Sequence, residues 1–223
     1  MFSIIIINYR TPKLTADCLN SLFKFCSQKD FEVIVVDNNS GDNSLASLKE
    51  EFGARFKLIA NSTNAGFAAA NNLGAKEASG EYLFFLNSDT FIQSDILTPL
   101  KNALQKDLSI GVIAPGLVLK NGEPQPYAYG YNKKLKTELA WVSGAALVIR
   151  HEVFQKVNGW DERFFMYFED RDLCQAVIRN GYKISRLSSI SLTHLVNSSP
   201  IFFGRRKLYY YQAKIRFLLK YLF

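Results

Sequence analysis

The sequence predicts an α/β domain built on a doubly wound, mostly parallel sheet. Three observations carry this. Short, largely apolar runs at Ser3 to Ile7, Phe31 to Val36 and Tyr82 to Leu86 read as strands buried on both faces. The segments between them repeat their apolar residues at helical spacing. Each run stops at small polar residues: Asn8, then Asp37-Asn38-Asn39-Ser40, then Asn87-Ser88-Asp89-Thr90. Alternating strands and helices specify a parallel sheet, and right-handed crossovers place all those polar ends on one edge. Ligands bind at that edge in open α/β sheets. Asn8, Asp37, Asn64 and Asp89 are therefore expected to converge.

The elements follow in order. Ser3 to Ile7 is β-branched and forms the first strand. A helix begins near Lys13, with Leu14, Cys18, Leu22 and Phe25 at helical spacing. Phe31 to Val36 is the second strand, and a short helix carries Leu45 and Leu48. Lys57 to Ile59 is a shorter strand, ended by the polar run from Asn61 to Gly66. Phe67 to Ala78 is an alanine-rich helix closed by Gly80. The strand Tyr82 to Leu86 comes next.

Gly111 to Lys120 and Trp141 to Arg150 read as two further strands. The loop between them carries Tyr127, Tyr129 and Tyr131 and has the character of a binding flap. Glu169 to Arg179 is a helix with acids in its first turn and Gly181 beyond its end. Lys183 to Thr193 alternates as one or two strands. Without linker or repeat, residues 1–204 read as one domain. Residues 205–223 form a basic amphipathic helix that is either part of this domain or a membrane-surface contact.

At 223 residues the chain is long enough to bury a full core. Three cysteines, an odd number without CxxC spacing, read as reduced thiols of a cytoplasmic protein. No apolar run is long enough to cross a bilayer. The net charge of +7 is uneven: no Asp or Glu follows Asp172, whereas nine Lys and Arg do. That asymmetry suits an anionic surface, phospholipid or nucleic acid. Nucleic acid is disfavoured, because the acids at the strand ends would repel a phosphate backbone.

The chemistry is sought among what remains after three exclusions. Neither a Gly-x-Gly-x-x-Gly turn nor a P-loop is present, and Ser143-Gly144 lacks the leading glycine of a nucleophile elbow. A diphosphate bound without a glycine cradle calls for a divalent cation, Mg or Mn. Asp89 is a suitable oxygen ligand, unless it merely caps the next helix, which starts near Ser94. His194 follows a strand and is either a second ligand or a satisfied core residue. Glu169, Asp170 and Asp172 crowd a helix start, where mutual repulsion and the aromatic run Phe164 to Phe168 would raise a carboxyl pKa toward that of a general base. The bland reading is ordinary helix N-terminal charge, with Arg171 as a local partner.

Five segments together resemble a family 2 glycosyltransferase of the A-type nucleotide-sugar fold. They are Ser3 to Tyr9, Val35 to Ser40, Asn61 to Gly74 with its Asn-x-Gly-Phe-Ala-Ala-Ala-Asn-Asn core, Phe85 to Thr90, and Gly159 to Leu173 with its Glu-Asp-x-Asp-Leu end. Within the family the chain is most similar to the rhamnosyltransferase-like branch of bacterial surface-polysaccharide enzymes. The resemblance implies roles. Asn8, Tyr9 and Asp37 would hold the base and ribose, and Asn64, Gly66 and Asn71 would lie along the nucleotide-sugar site. Asn87-Ser88-Asp89 matches the family's Asp-x-Asp motif, with Asn at its first position, so Asp89 is left as the only carboxylate of the motif. His194 would complete the metal shell. Trp141, Ser143, Gly144 and Glu169 would border the acceptor and donor sugar, and Asp170 would be the general base.

The implied activity is inverting, metal-dependent sugar transfer from a nucleotide-diphosphate donor to a saccharide or lipid-linked acceptor in polysaccharide biosynthesis. The competing reading is a non-catalytic nucleotide-sugar binding subunit. In the tail, Leu208, Tyr211, Ile215, Leu218 and Leu222 follow helical spacing amid Arg205, Arg206, Lys207, Lys214, Arg216 and Lys220. This helix either lies on an anionic leaflet at the inner face of the cytoplasmic membrane or packs on protein, its own domain or a second subunit of a homo-oligomer.

Overall fold

In the computed structural model, which describes residues 1–132, 138–196 and 203–222, the first half alternates strand and helix as expected. β1 (Phe2–Asn8) leads through α1 (Pro12–Phe25), β2 (Phe31–Asp37), α2 (Ser44–Phe52), β3 (Lys57–Ala60) and α3 (Gly66–Lys76) to β4 (Tyr82–Asn87). The second half contains β5 (Thr90–Phe91), α4 (Leu97–Lys106), β6 (Ile110–Val118), β7 (Tyr129–Tyr131), β8 (Leu139–Val142) and β9 (Ala146–Arg150). It ends with α5 (His151–Lys156), α6 (Glu169–Arg179), β10 (Lys183–His194) and α7 (Phe203–Leu222). Phe223, the end of the expected tail helix, lies outside the described residues.

The main sheet has the order β3-β2-β1-β4-β9-β6-β10-β5. Only β9 and the short β5 run against the other strands. The apolar runs are buried on both faces because alternate side chains enter two cores. Ile4, Ile6, Phe84 and Leu86 pack with Leu19 and Leu22 of α1 and Leu100 of α4. Ile5, Leu83 and Phe85 pack with Ala68 and Ala70 of α3, Phe154 of α5 and Leu173 of α6. The small residues of α3 let it lie close on the sheet: a Cβ on Gly74 would come within 2.6 Å of the Ile5 side chain. Parallel register aligns Asn8 with Asp37 and Ile7 with Asn87, so these strand ends share one edge.

Two expectations need correction. Trp141 to Arg150 is not one strand. Ser143 NH donates to the Ala128 carbonyl (2.8 Å) and Asn87 NH to the Ala145 carbonyl (2.9 Å), which breaks the run into β8 and β9. β8 pairs with β7 in a separate two-stranded sheet, while β9 enters the main sheet between β4 and β6. The helix after β4 is capped by Asp95, whose Oδ1 accepts from Leu97 NH (3.0 Å) and Thr98 NH (3.3 Å). Asp89 is therefore not its cap.

α7 packs on the domain through one face. Phe217 and Tyr210 lie 5.5 and 5.4 Å from the Phe168 ring, and Tyr209 lies 4.7 Å from Phe165. Lys220 Nζ bridges Asp161 (2.8 Å) and Asp172 (2.7 Å). Together with the Arg163 guanidinium, this holds the Asp161 carboxyl well below the usual range. No helix among the described residues is long and apolar enough to cross a membrane.

Candidate active site

A cavity of about 450 Å³ opens at the edge where β1, β2 and β4 end. Tyr9, Asn64, Gly66, Asn87, Ser88, Asp89, Trp141, Ser143, Gly144, Glu169, Asp170 and His194 all line it. Asn8, Asp37 and Asn71 do not. Asn8 and Asp37 lie just beneath the wall: Asn8 Nδ2 donates to Asp37 Oδ1 (2.6 Å) and Ser40 Oγ (3.1 Å), and Thr15 Oγ1 donates to Asn8 Oδ1 (2.9 Å). Asn71 turns back into its own helix and donates to the Phe67 carbonyl (3.0 Å). Its neighbour Asn72 makes the tertiary link instead, exchanging bonds with the backbone of Trp160 (2.8 and 3.0 Å).

The wall supplied by the first half is a closed amide lattice. Asn38 Nδ2 donates to Asn64 Oδ1 (2.9 Å), while its Oδ1 accepts from Asn61 Nδ2 (3.0 Å) and Ala65 NH (3.3 Å). Asn64 Oδ1 also accepts from Gly66 NH (3.1 Å). Gly66 is required here. Its φ of +88° is left-handed, and a Cβ would come within 2.5 Å of the Phe165 carbonyl oxygen. That close approach lets Phe67 NH donate to the same carbonyl (2.8 Å), fastening the start of α3 to the loop before α6.

Asp89 and His194, far apart in sequence, meet through strand pairing. β5 pairs antiparallel with the end of β10, setting Thr90 opposite His194, and Leu195 NH donates to the Asp89 carbonyl (2.9 Å). His194 Nε2 then stands 3.2 Å from Asp89 Oδ1, with both side chains buried. His194 Nδ1 contacts Gln125 Oε1 (2.7 Å), which fixes the orientation of the ring. Nε2 and the Asp89 carboxylate are thus side by side, where they either bond to each other or could both turn to a cation. Among the described residues no group of three or more His, Cys, Asp or Glu gathers to hold a metal. A two-donor set fits a divalent ion whose remaining positions are taken by diphosphate and water.

The opposite wall carries strain and desolvation. Tyr167 (φ +69°) and Phe168 (φ +65°) are consecutive left-handed residues with bulky side chains, costing about 1–3 kcal/mol each. Phe168 is held there by Tyr210, Phe217 and the Arg171 guanidinium 4.7 Å above its ring. The turn delivers Glu169 and Asp170 to the cavity. Asp170 Oδ1 accepts from Arg171 NH (2.7 Å) and Oδ2 from Gly144 NH (3.2 Å). Glu169 Oε2 is buried without a hydrogen-bond partner. Burial, then the neighbouring Asp170 charge, pushes the Glu169 carboxyl far up; burial also raises Asp170, against the pull of its two backbone donors. Of the two, Asp170 has the backbone donors that favour a charged carboxylate, whereas the Glu169 environment favours the neutral acid. Asp172 leaves the acidic cluster altogether, binding Lys220 and the Tyr221 hydroxyl (2.8 Å).

Several lining residues went unforeseen. Asn38 lies next to the expected Asp37 in the same polar run, so composition could have found it. Arg171, stacked over Trp141 (4.3 Å), was read only as a partner of its acidic neighbours. Gln125 sits in a loop without periodicity, and no local signal marks it. Arg206 and Tyr210 enter from α7, which the sequence presents as a tail.

The chain is similar to known proteins in both sequence and fold. The sequence profile of Glycosyl transferase family 2 matches residues 3–210. O-antigen biosynthesis protein RfbC of Myxococcus xanthus is 26% identical over 88% of this chain and 17% of its own length. Amylovoran biosynthesis glycosyltransferase AmsB of Erwinia amylovora is 26% identical over 82% of this chain and 65% of its own. The chain thus spans less than two thirds of these relatives. Among solved structures, S. aureus TarS 1-349 in complex with UDP-GlcNAc superposes with a TM-score of 0.75 at 22% identity, covering 89% of this chain and 59% of that one. Mannosyltransferase PcManGT of Pyrobaculum calidifontis, in complex with GDP-Man and Mn2+, gives 0.75 at 16% identity, covering 99% and 64%. The fold is that of the A-type nucleotide-sugar transferases. Because the profile runs from the first strand into the last helix, the chain belongs to glycosyl transferase family 2.

Proposed function

We propose that the chain transfers a sugar from a nucleotide-diphosphate donor to a hydroxyl of a saccharide or lipid-linked acceptor, with inversion at the anomeric carbon. The observation that carries this reading is the pairing, across one cavity, of the Asp89–His194 pair with two buried carboxyls, of which Asp170 accepts two backbone N–H bonds while Glu169 Oε2 has no partner. Asp170 accepts the proton of the acceptor hydroxyl as its oxygen attacks the anomeric carbon. The bond from that carbon to the diphosphate oxygen breaks, and the nucleoside diphosphate leaves. Glu169, kept neutral beside Asp170, adds no second charge to the base. One activated acceptor and one carboxylate base suffice for a single inverting displacement.

Asp89 and His194 would hold a divalent cation, Mg or Mn, which when bound would supply neutralising charge for the departing diphosphate. The Mn2+ bound in the mannosyltransferase neighbour supports this. The names of RfbC and AmsB support a surface-polysaccharide product. Rhamnose is the first donor sugar to test, on the sequence resemblance.

A thermal-shift screen of nucleoside diphosphates and nucleotide sugars, each with and without Mn or Mg, identifies the donor. Asp89→Ala should leave the chain folded while losing metal-dependent stabilisation by the donor and metal-dependent turnover. Full turnover in that variant would overturn the metal assignment. Donor binding without turnover by the wild-type chain, with every acceptor tried, would favour a non-catalytic binding subunit.

A further inference from the structure

Among the described residues, α7 packs on the domain through one face and exposes an apolar stripe on the other. Successive helical residues turn by about 100°. Tyr210, Ala213, Phe217 and Lys220 therefore fall on one side, and they form the packed row described above, with Ala213 buried. Leu208, Tyr211, Ile215, Leu218 and Leu219 fall on the opposite side as a continuous stripe. Each of these five is between 41% and 60% exposed. Lys207 and Lys214 border the stripe along one margin and Arg205 and Arg216 along the other, and all four are exposed.

α7 itself carries cations and no anions, because no Asp or Glu follows Asp172 in the sequence, and the acids that meet it, Asp161 and Asp172, bind Lys220 on its packed side. A second copy of α7 laid on this stripe would set the same cations against each other with no carboxylate to pair them. An anionic leaflet answers both features at once: acyl chains take up the apolar stripe, and lipid phosphates meet the lysines and arginines on either side.

We infer that α7 lies flat in the surface of an anionic bilayer, with Leu208, Tyr211, Ile215, Leu218 and Leu219 inserted and the flanking basic residues at the level of the headgroups. The inner side of the same helix contributes Arg206 and Tyr210 to the cavity wall. One rigid element therefore joins the membrane surface to the site, and a lipid-borne acceptor would enter beside it. This placement deepens the transfer reading by naming the surface from which the acceptor comes. Vesicle binding involves no nucleotide sugar, so its failure and the failure of transfer are separate outcomes.

The test is co-sedimentation of the 223-residue chain with vesicles of phosphatidylcholine alone, or with about one third phosphatidylglycerol, at low and high salt. The wild-type chain should pellet with the anionic vesicles, and less so at high salt. Ile215→Glu/Leu219→Glu and Lys214→Glu/Arg216→Glu should each weaken that binding by at least about tenfold. Both pairs are exposed, so the melting temperature should not move. Equal recovery in the supernatant with and without anionic vesicles would overturn the inference. So would equal, salt-insensitive binding to both kinds of vesicle. A solution dimer that Ile215→Glu/Leu219→Glu dissociates, without vesicle binding, would assign the stripe to a second copy and overturn it as well.

Discussion

The two walls of the cavity are built by opposite means. On the wall from β1, β2 and α3 the polar side chains satisfy one another, from Asn8 with Asp37 to Asn38 with Asn64. On the wall from the loop before α6, two side chains sit in left-handed backbone and a buried carboxyl oxygen has no partner. The first wall is a rigid rest with little left to react, because its hydrogen-bonding capacity is already spent on the fold. The second keeps a carboxyl pair out of water, at a cost that the fold's other contacts must offset. Shape is provided by one half and reactivity by the other.

Substitutions can sharpen or break this contrast. Asp170→Asn should have the largest effect: turnover falls by roughly 10²- to 10⁴-fold, while nucleotide affinity stays within about twofold. In the wild-type chain kcat should fall on the acid side, because a protonated Asp170 cannot accept the acceptor's proton. Burial raises this group, so the fall should begin above the range of an exposed carboxylate. A pH–rate profile of both chains checks this, and an unchanged acid limb in Asp170→Asn would remove Asp170 from the role of base. Asn8→Ala attacks the other wall and leaves Asp37 and Thr15 without their buried partner. It should cost about 1–3 kcal/mol of stability, read in denaturant unfolding. A loss of turnover with stability unchanged would break the contrast from that side.

Glu169→Gln should have the smallest effect, and one of opposite sign. The native Glu169 keeps a proton that the unfolded chain has already released, so stability is full below the unfolded value and falls as pH rises toward the native one. Glutamine does not ionise. The variant should therefore melt higher than the wild type at mildly alkaline pH, with the difference closing on acidification, as scanning calorimetry across pH would report. A lower melting temperature at alkaline pH would mean that Glu169 is ionised and paired after all.

Most of the sheet was legible because its strands are buried on both faces. Ile4-Ile5-Ile6 and Phe84-Phe85 can hardly be anything else, and their polar ends mark the site edge. The break between β8 and β9 was not legible, since residues on either side of Ser143-Gly144 are apolar and the interruption is made by bonds to Ala128 and from Asn87. The acidic cluster was legible as a cluster but not in its division of labour, which depends on Lys220 and Tyr221 arriving at Asp172 from α7. Asn71 and Asn72 show the same limit: two identical neighbours point differently around a helix, and only their surroundings say which one reaches across.

The meeting of Asp89 with His194 has a consequence in time. Asp89 lies at the end of β4, among the parallel strands that are synthesised first, whereas its imidazole partner is carried on the last strand of the sheet. The two are joined by a ladder only as long as the two-residue β5. However early the amide lattice forms, Asp89 and His194 cannot meet until β10 docks at the far edge. Such a long-range closure comes late in folding. Were the proposed ion to bind at this pair, its uptake would report a finished sheet and serve as a clock for the final step of assembly.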